Sequence, residues 1–152
     1  GADNFEVGSM KQAGSVFAYS LKPTFTHSVS SISASRGGDV DFELDFPISE
    51  AQHNYKILIS KRGVGVTHKG VDIPLASDTY LWNSASGIYP FPGSPNLHGT
   101  LDNSAHAFIT LSFPPGLSST LVGRHIWLAA VSMPAGRLPT FSSEAIPLLL
   151  FP

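Results

Sequence analysis

Asp39-Val-Asp-Phe-Glu-Leu-Asp-Phe46 alternates acid and apolar side chain through eight positions without an error. Successive side chains of a strand point to opposite faces, so this octet reads as a half-buried β-strand. Val40, Phe42, Leu44 and Phe46 are expected to face a core. Asp39, Asp41, Glu43 and Asp45 face water or a partner, which places four of the chain's eleven acids on one stripe. The strand ends where Pro47 removes a backbone donor. Just before it, Ser35-Arg-Gly-Gly38 has turn chemistry.

The same rhythm recurs along the chain. Thr24 to Ile32 supplies short alternating runs, as does Val16 to Leu21. Tyr55 to Lys61 reads as a strand, and Gly63 and Gly65 permit a bulged turn into Val64 to His68. Asp72 to Pro74 and Thr79 to Trp82 read as shorter strands. His106 to Phe113 alternates again, with Ala107, Ile109, Leu111 and Phe113 on one side. Arg124 to Met133 is apolar on both faces and is expected to be a central strand. Ser142 to Phe151 closes the sheet. Residues 83 to 104, with three prolines and three glycines, read as the longest irregular region.

Composition agrees with this pattern. Of 152 residues, 42% are hydrophobic and only 13% charged, while fourteen Gly and twelve Pro fall between short apolar runs. The expected architecture is all-β: an antiparallel β-sandwich, immunoglobulin-like, of about seven or eight strands. Residues 1–14 read as a flexible lead-in and residues 15–152 as one domain.

Several function classes are disfavoured at this level. A net charge of −2 and the lack of a basic stripe argue against nucleic-acid binding. No apolar stretch reaches membrane-spanning length. Cysteine is absent, so no disulfide is expected. No G-x-S-x-G elbow or H-E-x-x-H pair occurs, so no catalytic residues are assigned and no enzyme activity is expected. His27, His53, His68, His98, His106 and His125 stand singly, without ligand spacing. Carboxylates two apart on a strand lie about 7 Å apart, too far to share one Ca²⁺ unaided. No metal or cofactor is therefore expected.

Two surfaces remain as candidates. The acidic stripe Asp39, Asp41, Glu43, Asp45 is an interaction surface, with Lys56, Lys61, Arg62 and Lys69 expected on the opposite sheet, an arrangement that would steer contact between copies. Tyr80, Trp82, Tyr89 and Phe91, with Asn96 and His98 (and Asn83) nearby, form a candidate aromatic platform for a sugar ring.

A resemblance adds to this reading. Ser35-Arg-Gly-Gly-Asp-Val-Asp-Phe-Glu-Leu44, Leu111-Ser-Phe-Pro-Pro-Gly-Leu117 and Gly123-Arg-His-Ile-Trp-Leu-Ala-Ala-Val-Ser-Met-Pro-Ala-Gly136 are similar to strand openings and turns of immunoglobulin-like or fibronectin-like accessory domains of secreted bacterial proteins. The likeness spans roughly residues 28 to 151 by strand rhythm. It implies a non-catalytic module on the cell surface, outside the cell or in the periplasm, with a structural, adhesive or assembly role. No site residue carries over, and the inter-sheet cysteines of antibody domains are missing. A glycan or protein partner and self-association are the expected interactions. One form of self-association is a filament or pilus-like subunit, in which the lead-in or Ala145 to Phe151 would add a strand to a neighbour's sheet.

Overall fold

A computed structural model describes residues 22–68, 70–91, 97–117 and 120–152. Among these residues the protein is predominantly β, in several sheets, with one α-helix. The lead-in and the Val16 to Leu21 run lie outside the described residues.

The acidic octet forms β3, Gly38–Asp45, flanked on one side by β1 (Phe25–His27) and on the other by β8 (His106–Phe113), both antiparallel. Val40, Phe42 and Leu44 are fully buried, while Asp39 and Asp41 are exposed. Gly37, just before this strand, has φ +71°, and any Cβ there would run into the Phe113 carbonyl, so only glycine fits the turn.

The second sheet has the order β2-β11-β9-β4-β7, and it curls into a half-barrel. These strands are β2 (Ser31–Ser33), β4 (Asn54–Ser60), β7 (His98–Thr100), β9 (Arg124–Met133) and β11 (Ile146–Phe151). The short β10 (Phe141–Ser142) pairs with β9 off this path. Strand β11 runs antiparallel to β9 and parallel to β2, so the C-terminal segment is hydrogen-bonded on both sides within its own sheet.

The inner faces of the two sheets share one core. Phe42, Leu44, Ile109 and Leu111 of the smaller sheet meet Ile57, Ile59, Ile126, Leu128 and Leu148 of the larger. The outer face of β4 and β9 is also covered. Leu58, Ala129 and Val131 pack there against Leu81 of helix α1 (Thr79–Ala85) and Ile73 of the hairpin β5 (Val66–His68)–β6 (Val71–Ile73). This double cover explains why β9 is apolar on both faces.

Two expectations need correction. The strand count is eleven among the described residues, because short pieces such as β2, β7 and β10 are too brief to show a period. Thr79 to Trp82 is helical, not extended. Asp78 caps the helix, its Oδ1 accepting from Leu81 N at 2.9 Å, while Oδ2 accepts from Ser60 Oγ and Lys61 N at 2.9 Å each. Seven residues do not hold a helix alone; burial of Leu81 and Ser84 on the sheet does.

Candidate functional site

The outer face of the smaller sheet is built from three alternating strands. Asp41 stands across from Thr110, whose Oγ1 donates to Oδ1 at 2.6 Å, and its backbone N donates to Ser28 Oγ at 2.9 Å. Glu43 lies in register between Thr26 and Phe108. Asp45 pairs with Lys22 and His106. The Lys22 hydrogen bond is the main cause that holds its carboxyl below the usual range, with the His106 charge adding to it. One end of the stripe is thus neutralised. Asp39 and Asp41 make no ion pair among the described residues.

The basic residues sit elsewhere. Lys56 is on β4 in the larger sheet, on the outer face that α1 covers, and its Nζ donates to Ala85 O at 2.7 Å. Lys61 and Arg62 follow that strand and are exposed; Lys69 lies outside the described residues.

The aromatic residues do not form one platform. Trp82 is 47% exposed, its ring edge-on to His68 at 5.7 Å and its Nε1 donating to Ser77 Oγ at 3.2 Å. Tyr80 and Tyr89 instead line a separate depression with Asn83. Lys61 Nζ sits 4.6 Å from the Tyr80 ring centroid. The Tyr89 hydroxyl donates to Ile57 O at 3.2 Å, and burial pushes its phenol up to about 12. Phe91 is a core residue, 3% exposed and edge-to-face with Phe113 at 4.7 Å. His98 is exposed on β7, in register with Lys56. Asn96 lies outside the described residues. The separation follows from the helix: residues i and i+2 share a face in a strand but point to opposite sides of a helix.

Sequence reasoning missed a buried polar cluster. Glu50, 7% exposed, sits in a 3₁₀ turn (Ile48–Glu50). Its Oε2 accepts from Thr140 Oγ1 at 2.6 Å and Ser132 Oγ at 2.8 Å, and lies 2.9 Å from His53 Nδ1. Burial raises this carboxyl's pKa, but the three hydrogen bonds outweigh it and leave the group lowered. Glu50 and His53, three apart after Pro47, were the visible half of this cluster. Ser132 and Thr140 arrive from the far end of the chain.

It also missed an edge. Phe46 N donates to Ala105 O, which sets the parity of the ladder continuing into β8. Ala107, Ile109, Leu111 and Phe113 therefore bond to β3, and the N–H and C=O groups of His106, Phe108, Thr110 and Ser112 point away from it. His106 is satisfied by the Asp102 turn, donating to Oδ1 and accepting from Asp102 N, both at 2.9 Å. Phe108, Thr110 and Ser112 have no second strand among the described residues. All three are exposed, Phe108 by 75%. The other sheet edges among the described residues are short: β1, β2, β5, β6 and β7 have three residues each and β10 two. From Ala107 to Phe113 this eight-residue edge strand carries neither charge nor proline, the features that blunt such edges.

Among the described residues no group of three or more His, Asp or Glu side chains is placed to hold a metal, and no helix is long and apolar enough to cross a membrane. Compared with protein-family models and with curated proteins, the chain finds no match.

Proposed function

We propose that this chain is a non-catalytic, immunoglobulin-like β-sandwich module of a surface-exposed or secreted protein, and that it acts in assembly by adding strands at the open edge of β8. The observation that carries this reading is the run of three outward donors and three outward acceptors at Phe108, Thr110 and Ser112. The Glu50 cluster supports a structural role, since Ser132 donates to the carboxylate rather than to His53.

The edge is self-complementary. Two copies related by a two-fold axis through Thr110 would set Thr110 opposite Thr110 and Phe108 opposite Ser112. That register makes six backbone hydrogen bonds and uses every open group on both edges. Centring on Phe108 instead would call on His106, whose groups are already engaged. At about 1 kcal/mol net per bond plus partial burial of Phe108, the gain stands against an association cost of about 4–15 kcal/mol. The expected contact is weak and concentration-dependent.

Sedimentation of the full chain over a wide concentration range tests this. The weight-average mass rises with concentration in the wild type and stays monomeric in Phe108→Lys, which places a charge on the edge beside Glu43. A wild-type monomer at every concentration up to millimolar defeats the reading. What supports the carbohydrate alternative is smaller: Tyr80, Tyr89 and Asn83 share one open depression, and glycan capture lost in Tyr80→Ala is its test.

A further inference from the structure

On the far side of the molecule from β8, the outer face of β4 and β9 does not meet its cover everywhere. A hollow of about 170 Å³ remains between this face, helix α1 and the β5–β6 hairpin. Its walls include Leu58, Leu81, Val131 and Met133, of which the first three are buried. They come from three elements, so the hollow is a product of the tertiary fold. A cavity of about 150 Å³ lined by apolar side chains is large enough to hold benzene.

Two features of the rim say what would fit. Trp82 borders the opening with its indole held by Ser77 and by the edge contact with His68, an ordered apolar plate left 47% in water. Lys56 also borders it, half-buried, with Nζ fixed on the Ala85 carbonyl near the C-terminal end of α1. The ion pairs among the described residues involve Lys22, His53 and His106, and none reaches Lys56. An ammonium group has three protons to donate and one is used here. An apolar hollow with a cation at its rim that no carboxylate answers is complementary to a molecule with an apolar body and an anionic end.

We propose that this hollow binds a small monocarboxylate whose aromatic or branched aliphatic body lies among Leu58, Leu81, Val131 and Met133 beneath Trp82, with its carboxylate on Lys56 Nζ. The proposal is independent of the assembly reading, because β8 belongs to the other sheet.

The test is a titration of the full chain, carrying Phe108→Lys so that self-association does not interfere, with 3-phenylpropionate and with the neutral 3-phenylpropanamide. Amide and indole proton–nitrogen spectra report the site. Saturable shifts at the Trp82 indole N–H and along α1 are expected with the acid, at an affinity at least tenfold better than with the amide. Lys56→Met should remove that tenfold preference, and Lys56→Arg should restore part of it. Ala85→Met, which fills the opening from the end of the helix, should weaken both probes while leaving shifts outside α1, β4, β9 and the β5–β6 hairpin unchanged. Absence of saturable shifts at Trp82, or equal binding of acid and amide to the parent chain, overturns the proposal. So does binding that survives Ala85→Met in a folded protein.

Discussion

Replacing Phe42 by Ala, and separately Glu43 by Ala, tests the sorting of one strand onto two faces. Phe42 is fully buried, and its ring lies 5.5 Å from that of Phe25 at an interplanar angle of 31°. Truncating a buried phenylalanine costs about 3–5 kcal/mol through lost transfer energy and the cavity left behind. The pairing with Phe25 puts this site toward the upper part of that range. Glu43, one residue on, faces Thr26 and Phe108 on the solvent side, and its truncation should change stability by no more than about 0.5 kcal/mol. Urea unfolding followed by tryptophan fluorescence reads the difference as a midpoint lower by about 2 M for Phe42→Ala and nearly unchanged for Glu43→Ala. A one-residue slip of register would exchange the two faces. Similar losses for the two variants, or a larger loss for Glu43→Ala, would refute the reasoning.

Further predictions follow from the polar clusters. Glu50 has a folded pKa below its unfolded value, so its contribution is present above about pH 4.5 and is lost as pH falls through the lowered folded pKa. Glu50→Gln should cost about 2 kcal/mol at pH 7 and progressively less toward pH 3, read from urea midpoints at each pH; an undiminished cost at low pH would contradict this. Asp78→Ala removes the helix cap and the acceptor for Ser60 and Lys61 together, and about 1–3 kcal/mol of stability should go with it. Faster amide exchange in α1 than in β9 of that variant is the local check. Gly63→Ala would drive a methyl against the Trp127 ring, with 2.6 Å to Cε3, so a shifted Trp127 emission and a lowered thermal midpoint are expected.

Much of the fold was legible where a pattern was long enough to carry a period. The His106–Phe113 and Arg124–Met133 strands match the alternating run and the two-sided apolar run read from the sequence, because eight and ten residues leave little room for ambiguity. Helix α1 was not legible for the opposite reason. Tyr80 and Trp82 alternate over a stretch too short to reveal a helical period, and the deciding signal was Asp78 as a cap. Tyr80 and Trp82, two apart in sequence, were grouped by their nearness along the chain, and the helix turns their side chains to different sides. The parallel pairing of β2 with β11 joins residues more than a hundred apart and leaves no local trace. The Glu50 cluster could not be seen before Ser132 and Thr140 were brought to the Ile48–Glu50 turn, nor the Lys56 hollow before β4, β9 and α1 were brought together. The open edge depends on ladder parity, which the Phe46–Ala105 bond supplies and the sequence does not.

Residue-resolved amide hydrogen exchange at low and at high protein concentration reads that edge directly. In dilute solution the N–H groups of Ala107, Ile109 and Leu111 should exchange slowly, while those of Phe108, Thr110 and Ser112, on the same strand, exchange fast. Raising the concentration should slow those three selectively. Uniform slow exchange along β8 in dilute solution, or no response of Phe108, Thr110 and Ser112 to concentration, would contradict an edge open for strand addition.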